Sequence, residues 1–155
     1  MKTAIDYPIT FKFGGVWYPY YTKTPNPDRL YTSHHGEDRG MPTGTQVVVS
    51  GKTIGLSGNT GLSAAPHLHV DEKKIGANPA VRANFKNPNG WSTITGKVVF
   101  AGSAGTAGNM ITIHTDKGLE YRFLHLSKIN VKVGDKIGED MVEKINAIYN
   151  KFKEI

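Results

Sequence analysis

The sequence contains no cysteine. This absence excludes disulfide bonds, a thiolate nucleophile and every zinc site that uses cysteine ligands. A metal ion bound by protein side chains would therefore have to be held by histidine, aspartate or glutamate.

Long apolar runs are also missing. No segment approaches the roughly 20 apolar residues of a membrane-spanning helix. Residues 1–8 lack the apolar stretch of a secretory signal. We therefore expect no membrane span and no export signal in this chain.

Turn-forming and β-branched residues are abundant. The 18 glycines and 8 prolines separate short runs of valine, isoleucine and threonine, a pattern typical of strands joined by tight turns. A length of 155 residues fits one compact domain. We predict a single, mainly β domain with an antiparallel sheet, divided into aromatic- and proline-rich loops with a first strand (1–33), a core (34–138) and a terminal helix (139–155).

The formal net charge is +6, since 19 lysines and arginines outnumber 13 acidic residues. A basic protein favours polyanionic partners, such as nucleic acid or the teichoic acids of Gram-positive cell walls. The basic residues are scattered and no nucleic-acid-binding motif is present, so a generally solvated surface is the simpler interpretation. We predict no nucleic-acid partner.

Several short segments have the composition of strands. They are residues 9–13, 46–49, 53–56, 67–70, 96–101, 109–115, 119–126 and 136–137. The turn Thr115-Asp-Lys-Gly118 predicts a hairpin between two of them. Residues 73–90 are predicted to form a long connecting loop.

The last residues have a helical pattern. From Asp140 to Ile155 the apolar residues repeat every three or four positions, with acidic residues first and lysines later. This pattern predicts an amphipathic helix. Packing against the sheet is the simplest role for its apolar face, and partner binding is the alternative.

Two short motifs bear on chemistry. His34 and Asp38 lie four residues apart, and their side chains converge if Gly36 turns the chain tightly. His67 and His69 are two apart in a predicted strand, so both imidazoles point to one face while the leucine between them enters the core. Taken alone, the first motif is more often an ordinary loop, and the second is a metal site about as often as not.

Together these motifs supply imidazole nitrogens and one carboxylate, the ligand types of a catalytic zinc ion with three protein ligands. Iron, nickel and manganese accept similar ligands. No His-Glu-x-x-His motif offers a glutamate base, so histidine must handle protons. His67 or His125 could take a proton from water or stabilise an oxyanion. Taken alone, His125 is more often an ordinary core or surface residue.

Several segments resemble the lysostaphin and LytM family of zinc endopeptidases. The segments are His34-His-Gly-Glu-Asp38, Pro42-Thr-Gly-Thr-Gln-Val-Val48, residues 54–69 with Gly58-Asn-Thr-Gly61 and His67-Leu-His69, Gly96-Lys-Val-Val99, residues 108–114, Leu124-His-Leu-Ser127 and Val131-Lys-Val-Gly-Asp135. The resemblance covers residues 9–138, and chance is a poor explanation for so many motifs together.

The resemblance implies a lysostaphin/LytM-like fold of the duplicated hybrid motif type, in which long loops form a groove. It also implies that the groove holds Zn²⁺. By this resemblance His34, Asp38 and His69 bind the zinc, and His67 and His125 are the catalytic histidines.

The order of the motifs departs from the family, in which the His-Leu-His block closes the domain. Here the block precedes His125, as though residues 54–72 had been moved behind an earlier strand. Such a chain can rebuild the site if the moved strand lies beside its former neighbours, because catalysis depends on geometry and not on chain order. Phe123 also replaces a tyrosine that is usual in the family, and Tyr121 or Tyr31 could supply the missing hydroxyl.

The function implied by the resemblance is hydrolysis of peptide bonds in the stems or cross-bridges of bacterial peptidoglycan. Such an enzyme acts on the cell wall, as an extracellular or phage-delivered lysin, and we expect a monomer. The main alternative is a virion or cell-envelope module that binds peptidoglycan without cutting it. Such modules usually lose ligands, whereas all five positions are kept here, so we favour catalysis. A nucleic-acid-binding β domain is the second alternative and would show salt-sensitive DNA binding.

Overall fold

The computed structural model describes residues 2–11, 36–77, 89–138 and 141–153. Within these ranges the chain forms ten strands and one α-helix, which are β1 Ile9–Phe11, β2 Glu37–Gly40, β3 Gln46–Val49, β4 Lys52–Leu56, β5 His67–Lys74, β6 Gly96–Ser103, β7 Asn109–Thr115, β8 Leu119–Leu126, β9 Lys128–Ile129, β10 Lys136–Ile137 and α1 Met141–Lys153. Three short 3₁₀ helices complete the described elements: Ala4–Asp6, Gly90–Thr93 and Gly105–Ala107.

Two antiparallel sheets account for all ten strands. The larger has the order β1-β2-β5-β8-β7-β6-β10, and the smaller has the order β3-β4-β9. The predicted mainly β, antiparallel fold is confirmed. In the larger sheet β5 lies between β2 and β8, so three segments that are distant in sequence run side by side.

The core is one cluster of apolar side chains to which both sheets contribute. Val47, Val49 and Ile54 come from the smaller sheet, and the larger one adds Leu68 and Phe123, all fully buried. Phe123 packs edge to face against Trp91, with ring centroids 5.6 Å apart. Each large apolar side chain buried in this way contributes about 1.5–3 kcal/mol to folding.

The structure differs from the sequence prediction at β2, at β9 and in the second half of β5. The residues concerned in β2 and β5 are largely charged. β2 and β9 were not predicted, and β5 continues to Lys74, so the loop predicted from residue 73 begins later. Charged residues argue against a buried strand unless they are paired. Here β5 pairs them with β8, where the opposed residues are Asp71 and Arg122, Glu72 and Tyr121, and Lys73 and Glu120.

The polar strand β2 is stabilised in a similar way. Glu37 and Arg39 are both buried and form an ion pair with an N–O distance of 2.6 Å. The Arg39 guanidinium also donates to the backbone carbonyls of Ile5 and Tyr7, each at 2.9 Å. Arg39 therefore balances the charge of Glu37 within β2 and connects the strand to the segment at the first 3₁₀ helix.

Helix α1 forms where the sequence pattern places it. The expectation that its apolar face packs against the sheet is wrong for the described side chains, because residues 145–153 are all exposed. The buried cluster contains no described side chain of α1. Neither α1 nor any other described helix has the length and apolar character needed to cross a bilayer.

Candidate active site

The first part of the site is the contact between Asp38 and His69. Asp38 of β2 lies directly opposite His69 of β5, and residues paired in this way have neighbouring side chains on one face of a sheet. His69 Nδ1 lies 2.9 Å from Asp38 Oδ1. Pairing of β2 with β5 thus joins two residues that are 31 positions apart in the chain.

Gly36 allows this contact because it leaves room for the His69 ring. A Cβ at Gly36 would lie 2.5 Å from His69 Cε1 and 2.7 Å from the carbonyl oxygen of Val70. Gly36 is not among the glycines with positive φ. The sequence suggested that this glycine is needed for a tight turn, whereas the structure shows that it is needed for a close approach.

The other nitrogen of His69 faces a second carboxylate. His69 Nε2 lies 3.2 Å from Oδ2 of Asp71, which is fully buried. Burial alone would lower the pKa of His69, but the hydrogen bonds to Asp38 and Asp71 and the charges of these carboxylates outweigh it and raise the pKa to about 9. The two carboxylates therefore create a position at which positive charge is stabilised.

His67 lies beside His69 on the same face of β5. Its Nε2 is 3.7 Å from Asp38 Oδ1. Its Nδ1 is 2.8 Å from the carbonyl oxygen of Ala65 and 3.1 Å from the Ser63 hydroxyl. Because a carbonyl only accepts, Nδ1–H donates to it, and a neutral ring then keeps its lone pair on Nε2.

His125 reaches the site because its backbone leaves the regular strand conformation. Strict alternation would point it to the same face as Phe123, which is fully buried in the core. The φ of His125 is instead 65°, a left-handed value that costs about 1–2 kcal/mol. The His125 ring centroid consequently lies 4.7 Å from that of His67 and 6.3 Å from that of His69.

A hydrogen bond to the backbone holds the His125 ring, and a lowered pKa favours the neutral form of the ring. Its Nδ1–H donates to the carbonyl of Thr60 at 2.8 Å. Burial lowers the pKa of His125, and the charges of His67 and His69 lower it further, against the opposing effect of the Thr60 bond. A neutral ring of this kind has its lone pair on Nε2 and can accept a proton there.

The loop between β4 and β5 thus supports two site histidines: the carbonyl of Ala65 holds His67, and the carbonyl of Thr60 holds His125. Thr60 Oγ1 donates to the carbonyl of Leu126 at 2.8 Å and accepts the backbone N–H of Asn109 at 3.0 Å. The next residue, Gly61, has a φ of 73°, and a Cβ there would lie 2.7 Å from Gly108 Cα. The glycine-threonine-glycine character of this loop follows from its close packing against β7 and β8.

The described residues supply two of the three predicted metal ligands. Donor atoms on one tetrahedral zinc ion, each about 2.0–2.2 Å from it, lie roughly 3–3.5 Å apart. The separation of 2.9 Å between His69 Nδ1 and Asp38 Oδ1 is close to this range, and the donor types fit zinc. Within the described part of the chain no cluster of three or more potential ligands is arranged around a metal position. His34 lies outside the described residues, so its role as the third ligand stays a prediction.

A Gly36→Ala substitution tests the packing of this pair. The added methyl group has to displace the His69 ring, and we expect zinc affinity to fall by about tenfold or more, the scale typical of disturbing a ligand's support. Gly102→Ala is the matched control, since its φ is not positive and a Cβ there would meet only one atom, at 4.0 Å. Chelator competition would measure both affinities, and unchanged zinc binding by Gly36→Ala would contradict the packing argument.

Comparison with known families adds an independent observation. Residues 84–142 match peptidase family M23. This is the LytM and lysostaphin family, so the resemblance is confirmed at the level of the family for the motifs within that segment. Searches of curated proteins and of solved structures returned no match.

The M23 match and the site overlap only in part. The M23 family consists of metallopeptidases that are generally zinc-dependent and act on peptidoglycan. The matched segment contains His125, whereas Asp38, His67 and His69 precede it. The sheet nevertheless brings all four side chains together, because β5 lies between β2 and β8. The departure in motif order stays a prediction.

The structure also locates the aromatic residues considered near His125. Phe123 belongs to the core. Tyr121 is hydrogen-bonded to Glu72, and its burial, the Glu72 charge and this hydrogen bond all raise the pKa of Tyr121. Tyr121 and Glu72 alternate with the site-facing residues and lie on the core face of the sheet. Tyr121 therefore does not supply a hydroxyl to the site. Tyr31 lies outside the described residues.

Proposed function

We propose that this protein is a zinc-dependent endopeptidase that hydrolyses peptide bonds in bacterial peptidoglycan. The observation that carries the proposal is the convergence of Asp38, His67, His69 and His125 from three neighbouring strands. The M23 match supports the reaction class, and peptidoglycan is the substrate of that family. We further propose that His34 completes the ligand set and that the protein acts on the cell wall as a monomer.

The chemistry follows from the donor types. Zinc held by His34, Asp38 and His69 would polarise the scissile carbonyl and lower the pKa of a water molecule. His67 and His125 each have Nδ1 held by a backbone carbonyl, so Nε2 is the nitrogen available for proton transfer. One ring takes the proton released as water oxygen bonds to the carbonyl carbon. A protonated ring then stabilises the oxyanion or protonates the leaving amine as the C–N bond breaks.

The surroundings suit a thin, polyanionic wall polymer. The loop over residues 58–66 lies beside both histidines and consists largely of small residues. The net charge of +6 favours approach to an anionic cell wall. We propose stem peptides or cross-bridges rich in glycine and alanine as the substrate.

The test is digestion of purified Gram-positive cell walls by the zinc-loaded protein. We expect release of new amino termini and no new reducing sugar ends, because a metal-activated water attacks a carbonyl, and the two carboxylates described at the site, Asp38 and Asp71, are already engaged by His69 and Arg122. The same preparation treated with a chelator should be inactive and should recover when zinc is restored. Cut glycan strands with intact cross-links would refute the proposal, and wall binding without any release would favour a structural, non-catalytic module.

A further inference from the structure

Asp71 is a buried carboxylate next to the predicted metal ligand His69. It follows His69 by two positions on β5, so both side chains point to the same face of the sheet. Asp71 is fully buried, and its Oδ2 lies 3.2 Å from His69 Nε2. A buried carboxylate is costly unless its oxygens are satisfied by hydrogen bonds or opposite charge.

Arg122 satisfies that requirement from the neighbouring strand. It lies opposite Asp71 in the pairing of β5 with β8. Its Nε donates to Asp71 Oδ1 at 2.9 Å and to Oδ2 at 3.1 Å, and its Nη2 donates to Oδ2 at 2.6 Å. Such a two-point contact fixes the plane of the carboxylate. The Asp71 oxygen that faces His69 is therefore held in one place.

The fixed carboxylate determines which nitrogen of His69 is available. When Nε2–H donates to Asp71, the lone pair of a neutral ring lies on Nδ1. Nδ1 is the nitrogen that faces Asp38, at 2.9 Å. Histidines that bind metals usually donate their other ring N–H to a carboxylate, carbonyl or water, which sets the tautomer and the orientation of the ring.

We propose that Asp71, clamped by Arg122, is the positioning residue that holds His69 with its proton on Nε2 and presents Nδ1 to the metal. This inference rests on the zinc site of the proposed function but not on peptide hydrolysis. A purely structural Asp71–Arg122 pair would stabilise β5 against β8 and leave the nitrogen used by His69 undetermined.

The test combines zinc affinity with a spectroscopic assignment of the His69 ring. Asp71→Asn keeps the shape of the side chain but removes its charge, and we expect a loss of about 10–100-fold in zinc affinity by chelator competition. Ring ¹⁵N NMR of the zinc-loaded wild-type protein should show His69 protonated on Nε2 and coordinated through Nδ1. Glu120→Gln is the control. It changes a carboxylate on the neighbouring strand β8, where Glu120 contacts His114 and Lys73, so it should leave zinc affinity unchanged.

Arg122→Lys keeps the proposal testable if Asp71→Asn fails to fold. It retains the positive charge but loses the two-point contact, so zinc affinity should fall by less than in Asp71→Asn. Coordination of zinc through Nε2, wild-type affinity in the Asp71 variant, or no zinc binding by the wild-type protein would each overturn the proposal. A wild-type protein that binds zinc as described but cuts no peptide bond would refute the proposed function and leave this inference standing.

Discussion

His69→Ala is expected to abolish zinc binding and cell-wall hydrolysis together. His69 Nδ1 is one of two described donor atoms at the predicted metal position, and its removal leaves Asp38 as the only described ligand there. Metal analysis should find about one zinc per chain in the wild-type protein and almost none in the variant. A bound metal supplies several kcal/mol of transition-state stabilisation, so the hydrolysis rate should fall by at least roughly a thousandfold.

His114→Ala is the matched control for that variant. His114 lies on β7, and its Nε2 contacts Glu120 Oε1 at 3.0 Å, on a partly exposed surface where such a pair contributes about 0–1 kcal/mol. Lys73 also contacts Glu120, at 3.7 Å, so the carboxylate keeps a partner. The control should retain zinc and activity. Undiminished zinc in His69→Ala would remove His69 from the ligand set.

His125→Ala is expected to separate catalysis from metal binding. His125 belongs to no predicted ligand set, so the variant should bind zinc normally. Its activity should fall by about a hundredfold or more, the usual scale for losing a positioned proton carrier or oxyanion donor. Rates of amino-terminus release, measured at equal zinc occupancy, would check this expectation.

The backbone at His125 requires a second variant. Alanine at a φ of 65° retains the left-handed strain, whereas His125→Gly relieves it while also removing the imidazole. Both variants should lose activity to the same extent, and circular dichroism should show that both fold. Digestion at the wild-type rate by either variant would show that His125 is only a strand residue.

Much of the fold was predictable because its strands follow a simple alternation. The segments that became β3, β6 and β7 have apolar, β-branched residues bounded by glycine turns, the segment that became β8 alternates apolar and polar residues over most of its length, and the structure has strands there. β2 and the second half of β5 could not be predicted in this way. Their residues are charged, and they are stable in strands only because the charges are satisfied, by Arg122 of β8 for Asp71 and by Arg39 within β2 for Glu37.

The same distinction applies to the candidate site. The shared face of His67 and His69 was predictable, since alternation in a strand is a local property. Asp71 would have been found by the same rule if the strand had been extended by one residue beyond Val70. The orientation of His125 was not predictable, because it depends on a left-handed backbone angle and on a carbonyl of Thr60, 65 residues earlier in the chain.

The sequence by itself determined the chemistry available to this protein: without cysteine, any protein-bound metal has to be held by nitrogen and oxygen ligands, and the histidine motifs resemble those of zinc endopeptidases. Only the tertiary structure decided that residues from three separate segments meet. That outcome depends on β5 lying between β2 and β8. Strand order is set by long-range pairing and by the burial of one face of each strand, which no local pattern specifies. It also depends on space, since only glycine at position 36 lets β2 pass close to the His69 ring.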